Sequence, residues 1–549
     1  MRFISQPPKL LQLALTLIGL ALLAPRINAA EWQWSVPAGF GRAFLWIPPD
    51  CQQVRAVLIG QHNMIEETIL EHPQMRATLA KLGIAEVWII PPQDPVFDFN
   101  KGAGKRFEQT MNLLAAESGY GELAWAPAIP IGHSACASYP WNFAAWNPAR
   151  TLAILSIHGD APLTNMTGSG RPNPAWGDRN IDGIPGLMVM GEYEWFEDRL
   201  TPALAFRERF PHSPVAFLPE PGRGHFDVSE DLVNFLALFI RKAAEQRLPI
   251  DAPIDHAPIL RPIDPAQGWL IERARLNTPR TVAAGPATHY AGAPKQSFWC
   301  FDKEMAHATE TYRSNQIGKR PQLLTYVQDG KPVAQTNTHQ QVNLRSLPLG
   351  DGITFRLGAT FLESVEASSA SLSRWSYLPV GAPLGHATGG GPITLSRITG
   401  PVAQTGPDTF VIRLNRAAST IDKRNNEIWL LASQPGDEQY KSAVQQALLR
   451  ISPNTDGIEQ HITFPEIPDQ KNGTGTLKLN ATSDAGVQIG YYVREGPAEI
   501  DGDTLCFTHL PPRSRFPVPV TIVAWQWGHS SAPKLRTAVP VERTFYITH

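Results

Sequence analysis

The 549-residue chain predicts an α/β fold, a mostly parallel sheet with helices on both faces, followed by all-β sandwich domains. Two patterns carry this expectation. From about Ala56 to Leu248, short apolar runs alternate with longer amphipathic stretches, as strands and crossover helices do. Beyond about Gly268 the runs become short and alternating, with Gly and Pro between them. The chain is also too long for one ordinary core, so two or three domains are expected.

In chain order, Arg2 and Lys9 precede the apolar run Leu10–Ala24, and the small residues Ala29 and Ala30 follow. This reads as a secretory signal over residues 1–30 and places the mature protein outside the cytoplasm, secreted or periplasmic. The run is short for a membrane span, and no Cys closes it to take a lipid, so no membrane anchor is expected. Residues 31–247 form the α/β domain. Its strands are read at Ala56–Gly60, Glu86–Ile90, Ala128–Ile131, Leu152–Ile157, Gly186–Met190 and Pro214–Leu218. Its helices are read at Glu66–Leu82, Lys105–Glu117, Ala135–Trp146, Asp198–Phe210 and Val228–Arg247. The last opens on Asp227 and Glu230 in capping-box spacing and carries Leu232, Phe235, Leu236 and Phe239 on one face.

Closely spaced prolines then mark a linker over 248–267. Residues 268–460 read as β-rich, with strands such as Thr409–Leu414 and Glu427–Ala432 and one helix near Ser442–Arg450. Residues 461–549 read as a small sandwich, from the alternation at Leu477, Leu479 and Ala481 and the runs Tyr491–Val493, Thr504–Phe507, Val520–Ala524 and Thr544–Ile547. In the stretch from Phe464 to Gln470, the step Gly496-Pro-Ala and the strand Thr504-Leu-Cys-Phe-Thr, this part resembles bacterial immunoglobulin-like modules.

Lys plus Arg number 48 against 50 Asp plus Glu, which gives no electrostatic reason to expect a nucleic-acid partner. Cys51, Cys136, Cys300 and Cys506 are scattered and imply no disulfide framework. Metal-type Cys or His spacing is absent, and no cofactor is implied.

A serine becomes a nucleophile only if it is exposed and given a base, an orienting acid and oxyanion donors. After the apolar run Ala128–Ile131 comes Gly132-His133-Ser134-Ala135-Cys136, and a helix-compatible segment follows. Strand, sharp turn and helix are the setting of a nucleophile elbow, with Ser134 at its tip. Here the chain resembles the α/β-hydrolase family, including dienelactone hydrolases and polysaccharide esterases. It departs from Gly-x-Ser-x-Gly at Cys136, which is still compact, and Pro140 is expected to kink or delay the helix. His133 reads as an elbow neighbour.

The resemblance implies a histidine after the last strand, and Gly222-Arg-Gly-His225-Phe supplies His225. It implies an acid on a loop between serine and histidine. Glu194, just after Gly186–Met190, fits best, and Glu192, Asp198 and Asp160 are alternatives. Oxyanion donors would be the backbone N–H of Ala135 and of Gln61 or His62 in Gly60-Gln-His-Asn-Met64.

A cap over Ala161–Pro185 would cover the site. Asn63, Trp141, Trp176 and Trp195 are candidate pocket residues, the three indoles being equally plausible as core. Trp525 and Trp527 share one face of a strand, either a sandwich core or a platform for glycan contact. The expected function is a serine esterase acting on a small or polysaccharide-linked ester such as an acetyl or feruloyl group. The alternatives are a serine peptidase of the same fold and a non-catalytic carbohydrate-binding or adhesion protein on a hydrolase scaffold.

Overall fold

The structure, a computed structural model, describes residues 32–549 except 169, 170, 276, 315, 421 and 423. The expected signal segment lies outside the described residues. Among those described, no helix is long and apolar enough to cross a membrane.

An eight-stranded sheet organises the first part of the chain. Its strands are β1 (Trp34–Ala38), β2 (Gly41–Trp46), β3 (Ala56–Gln61), β4 (Ile84–Ile90), β5 (Ala128–His133), β6 (Ile154–Ile157), β7 (Gly186–Gly191) and β8 (Val215–Glu220). They lie in the order β1-β2-β4-β3-β5-β6-β7-β8. β1 and β2 run antiparallel, and β3 to β8 run parallel. Helices α1 (Glu66–Leu70), α2 (Pro73–Leu82), α3 (Ala103–Ser118), α4 (Tyr139–Trp146) and α5 (Glu197–Arg209) lie in the crossovers, and α6 (Glu230–Arg247) follows the last strand. Both faces are therefore covered, and β3 to β8 are buried along their whole length, which is why they read as unbroken apolar runs. This is the α/β-hydrolase fold.

Several local differences have clear causes. The helix expected over Glu66–Leu82 is two helices, because Pro73 cannot continue α1 and instead starts α2, with His72 as N-cap. Pro140 likewise delays the helix after Ser134. A 3₁₀ turn, Ser134–Cys136, comes first, and Pro140 sits in the opening turn of α4, where its missing N–H costs nothing. α6 is capped by Ser229, whose Oγ accepts from Leu232 N at 3.0 Å, and not by Asp227. The β1–β2 hairpin carries Pro37, tolerated because β1 is the edge of this sheet.

After α6 the proline-rich segment packs back on the domain through Arg261 N to Arg247 O and Ile263 N to Gly183 O, both 3.0 Å. The next helix, α7 (Lys303–Ser314), and the strand Ser297–Cys300 lie against β8 and α6, with Phe298 on Phe217 and Lys242 paired to Asp302 at 2.5 Å. The rest of the chain forms small, mostly antiparallel sheets of the kind sandwiches are built from. Ala443–Arg450, expected as helix, is a strand between Glu427–Gln434 and Val342–Leu344. It is buried on both faces, so Gln445, Gln446 and the alanines and leucines show no alternation, and packing overrides their helical propensity. Trp525 and Trp527 are buried with Tyr492 and Val523 in one cluster, as a sandwich core.

Replacing Ser229 with Ala should lower stability by about 1 kcal/mol, read as a shifted urea midpoint at unchanged slope.

Candidate active site

The C-terminal ends of the parallel strands bring the candidate residues together. Ser134 follows β5 with φ +52°, the left-handed region a non-glycine residue seldom occupies, and the sharp turn lifts its side chain off the strand. Gly132 makes the turn possible, since a Cβ there would collide with the carbonyl of Cys136. Ser134 Oγ lies 2.6 Å from His225 Nε2. His225 Nδ1 faces Glu194 Oε2 in a short hydrogen bond. With Nδ1–H given to a carboxylate, Nε2 is left as the acceptor for the serine hydroxyl.

The acid and histidine loops pack directly on each other. Gly191 has no side chain to intrude, and a Cβ there would stand 2.7 Å from the carbonyls of both Arg223 and Gly224. Tyr193 N donates to Arg223 O at 2.9 Å, and Gly224 N donates to Asp227 Oδ1 at 2.9 Å. Buried His133 closes the arrangement from below, its Nε2 2.7 Å from the carbonyl oxygen of His225. Its Nδ1 lies 3.2 Å from the Asn63 side-chain amide, so the ring donates through Nε2 and accepts at Nδ1. Burial, then the imidazoles of His225 and His158, hold His133 well below the usual histidine range and keep it neutral.

Glu194 collects more donors than His225 alone. Gly191 N reaches Oε1 at 2.9 Å, Arg199 Nη1 reaches Oε2 at 3.0 Å, and His158 Nδ1 binds Oε1 closely. Burial alone would raise its pKa, but Arg199, His158 and His225 outweigh that and hold the carboxyl well below the usual carboxylate range. The three alternative carboxylates are placed elsewhere. Asp160 takes Thr167 N at 2.7 Å and Arg199 Nε at 3.2 Å. Glu192 takes Lys441 at 2.6 Å, Tyr377 at 2.5 Å and Gly222 N at 2.7 Å. Asp198 is exposed in the first turn of α5.

The turn after β3 corrects one expectation. His62 N donates to Ile89 O at 2.8 Å within the sheet and so is not available to an oxyanion, while Gln61 is the last residue of β3. The next two N–H groups, of Asn63 and Met64, both donate to Glu66 Oε2 at 2.9 Å. Glu66 also accepts from His133 N at 2.8 Å, tying this turn to the elbow, and burial pushes its carboxyl up to about 7. Ala135 lies in the 3₁₀ turn at the elbow, where first-turn N–H groups lack a partner within the turn.

The indoles are corrected as well. Trp141 is buried against Gly186 and donates to Asp160 O at 3.0 Å. Trp176 is buried, donates to Asn142 Oδ1 at 2.8 Å and packs on Phe206. Trp195 is buried on Phe217. Their ring faces are spent on the core. Asn63 is held between His133 and Arg424, whose Nη1 donates to Asn63 Oδ1 at 3.0 Å.

Several neighbours had no distinct signal in the sequence. His158 is one more histidine beside a glycine, and Arg199 one more cation in a charged helix. Others come from far along the chain. Trp375 stacks on Tyr193 at 4.5 Å and donates to its carbonyl at 2.8 Å, Trp429 packs on Phe226 at 5.2 Å, and Lys441 pairs with Glu192.

No protein-family model matches the chain, and neither does any curated protein. Solved structures match part of it. The fluorophosphonate-binding serine hydrolase FphF of Staphylococcus aureus aligns at 11% identity and TM-score 0.28, over 38% of this chain and 96% of its own. Dienelactone hydrolase from Anabaena variabilis aligns at 15% and 0.27, over 40% and 98%. A thermostable carboxyl esterase from Bacillus coagulans aligns at 11% and 0.28, over 39% and 99%.

Trp141→Ala should cost about 3–5 kcal/mol in chemical denaturation, as a core indole does. An unchanged midpoint with a raised KM would instead return Trp141 to the pocket.

Proposed function

We propose that this protein is a serine hydrolase that cleaves carboxylic esters through an acyl-enzyme on Ser134. The observation that carries the reading is the continuous relay from Ser134 Oγ through His225 to Glu194 at the tip of a strained elbow. In the proposed cycle His225 Nε2 takes the serine proton as Oγ attacks the ester carbonyl, with the N–H of Ala135 as one oxyanion donor. The imidazolium then protonates the leaving alcohol. A water activated by the same nitrogen releases the acid and frees the serine. Throughout, Glu194 stays ionised, which suits an orienting group that must not itself take the proton.

For substrate, acetyl or feruloyl esters on polysaccharide are the class to try first, in line with the family resemblance at the elbow. The proposed setting is extracytoplasmic, on the basic start and the apolar run Leu10–Ala24.

The test is labelling with a fluorophosphonate and turnover of p-nitrophenyl acetate. Wild type should label and turn over, and Ser134→Ala should do neither. His225→Gln and Glu194→Gln should each lose on the order of 10³–10⁴-fold in kcat. An unlabelled, inactive wild type that still binds glycans would favour the non-catalytic alternative.

A further inference from the structure

Glu194 serves two histidines, and the second is outside the Ser134–His225 relay. His158 follows β6 at φ +47°, and its ring is fully buried. Nδ1 binds Glu194 Oε1, and Nε2 stands 3.3 Å from Glu220 Oε2. Glu220 Oε1 in turn accepts from Tyr312 Oη of α7 at 2.5 Å.

A neutral imidazole has a single N–H, so beside ionised Glu194 and Glu220 it would point a lone pair at one carboxylate; burial pushes Glu220 up to about 7 and His158 works against that rise. The imidazolium hydrogen-bonds Glu194 through Nδ1 and turns its second N–H toward Glu220 at ion-pair distance, with no aligned hydrogen bond on that side. We propose that His158 is a positioning residue of the relay, an imidazolium held between Glu194 and Glu220 that fixes the triad carboxylate and sets a positive charge 5.9 Å from the His225 ring. This rests on the reading of Ser134, His225 and Glu194 as the catalytic relay.

The charged surroundings agree. Around His158 stand Glu194 on the acid loop, Arg199 on α5 and Glu220 at the end of β8. Asp227 acts on it from the histidine loop, where Arg223 pairs with Asp227, and the rings of His133 and His225 lie 5.7 and 5.9 Å away. Burial opposes its charge, but Glu194, and behind it Glu220 and Asp227, raise the pKa to about 9. The cation therefore persists through neutral pH. A positive ring so close to His225 opposes a second positive charge there, the charge that would disable the base. With Arg199 it also occupies Glu194 so fully that the carboxylate can turn neither away from His225 nor toward its proton.

Asn is the informative replacement, because its side-chain amide can still donate to Glu194, it tolerates φ +47°, and it carries no charge. In His158→Asn, kcat on p-nitrophenyl acetate at its optimum should stay within a few-fold of wild type, and the acidic limb of kcat/KM should move up by about one pH unit. His158→Phe, which loses the donor too, should shift the limb similarly and lose about 10–100-fold in kcat. Limbs unchanged in both variants, while Ser134 still labels, would reduce His158 to a structural role and overturn the proposal. Should neither variant fold, nitrogen-15 spectra of the unaltered protein decide. Both ring nitrogens of His158 should show protonated-type nitrogen-15 shifts at neutral pH, and a pyridine-type shift at either one overturns it. Hydrolysis surviving in Ser134→Ala would instead overturn the relay, and the role of His158 with it.

Discussion

One buried carboxylate holds this site together. Glu194 sits in a place where an isolated charge would be prohibitively costly, and it remains charged because Arg199, His158, His225 and the N–H of Gly191 converge on its two oxygens. Each of these partners depends in turn on a different part of the sheet. Arg199 comes from the helix after β7, His158 from the end of β6 and His225 from the loop after β8, so the carboxylate locks the C-terminal edge of three neighbouring strands into one geometry. Ser134, on the next strand along, faces a histidine whose tautomer and direction are already set.

The β-rich remainder of the chain is built into this edge. Trp375, Tyr377 and Lys441 hold the acid loop, Trp429 packs beside the histidine, and Arg424 grips Asn63 on the turn after β3. Lys441 and Glu192 are both buried, so neither is spared easily. On the far side, Arg513 pairs with Glu122 at 2.7 Å and Arg42 with Glu495 at 2.8 Å, seating the last sandwich against the β1–β2 hairpin and the segment after α3. Here the loops that carry the acid and the histidine are walled in by residues a hundred or more positions away.

The parts legible in the sequence were those with a local grammar. Six buried parallel strands announce themselves as apolar runs, and Ser134 and His225 could be picked out because strand, turn and helix follow one another around them. Glu194 stood among four carboxylates in one short segment, and what separates it from Glu192 and Asp198 is the direction of each side chain, which only the folded turn defines. His158 was hidden for the same reason, since nothing in His158-Gly-Asp160 tells which member faces the acid. The indoles misled in the opposite sense. Trp141, Trp176 and Trp195 are near the candidate site residues in sequence but are buried in the core, and sequence proximity does not tell which way a ring points. Ala443–Arg450 lacked alternation because both its faces are covered, and the hairpin Trp34–Trp46 was masked by Pro37.

The most direct test is a crystal structure of the fluorophosphonate adduct, which traps the tetrahedral stage of the proposed reaction. The account predicts phosphorus on Ser134 Oγ, with His225 and His158 both still bound through Nδ1 to Glu194 and Arg199 on the same carboxylate. An adduct in which His225 pairs with Asp160 or Glu192, or in which Glu194 has turned away from both rings, would contradict it.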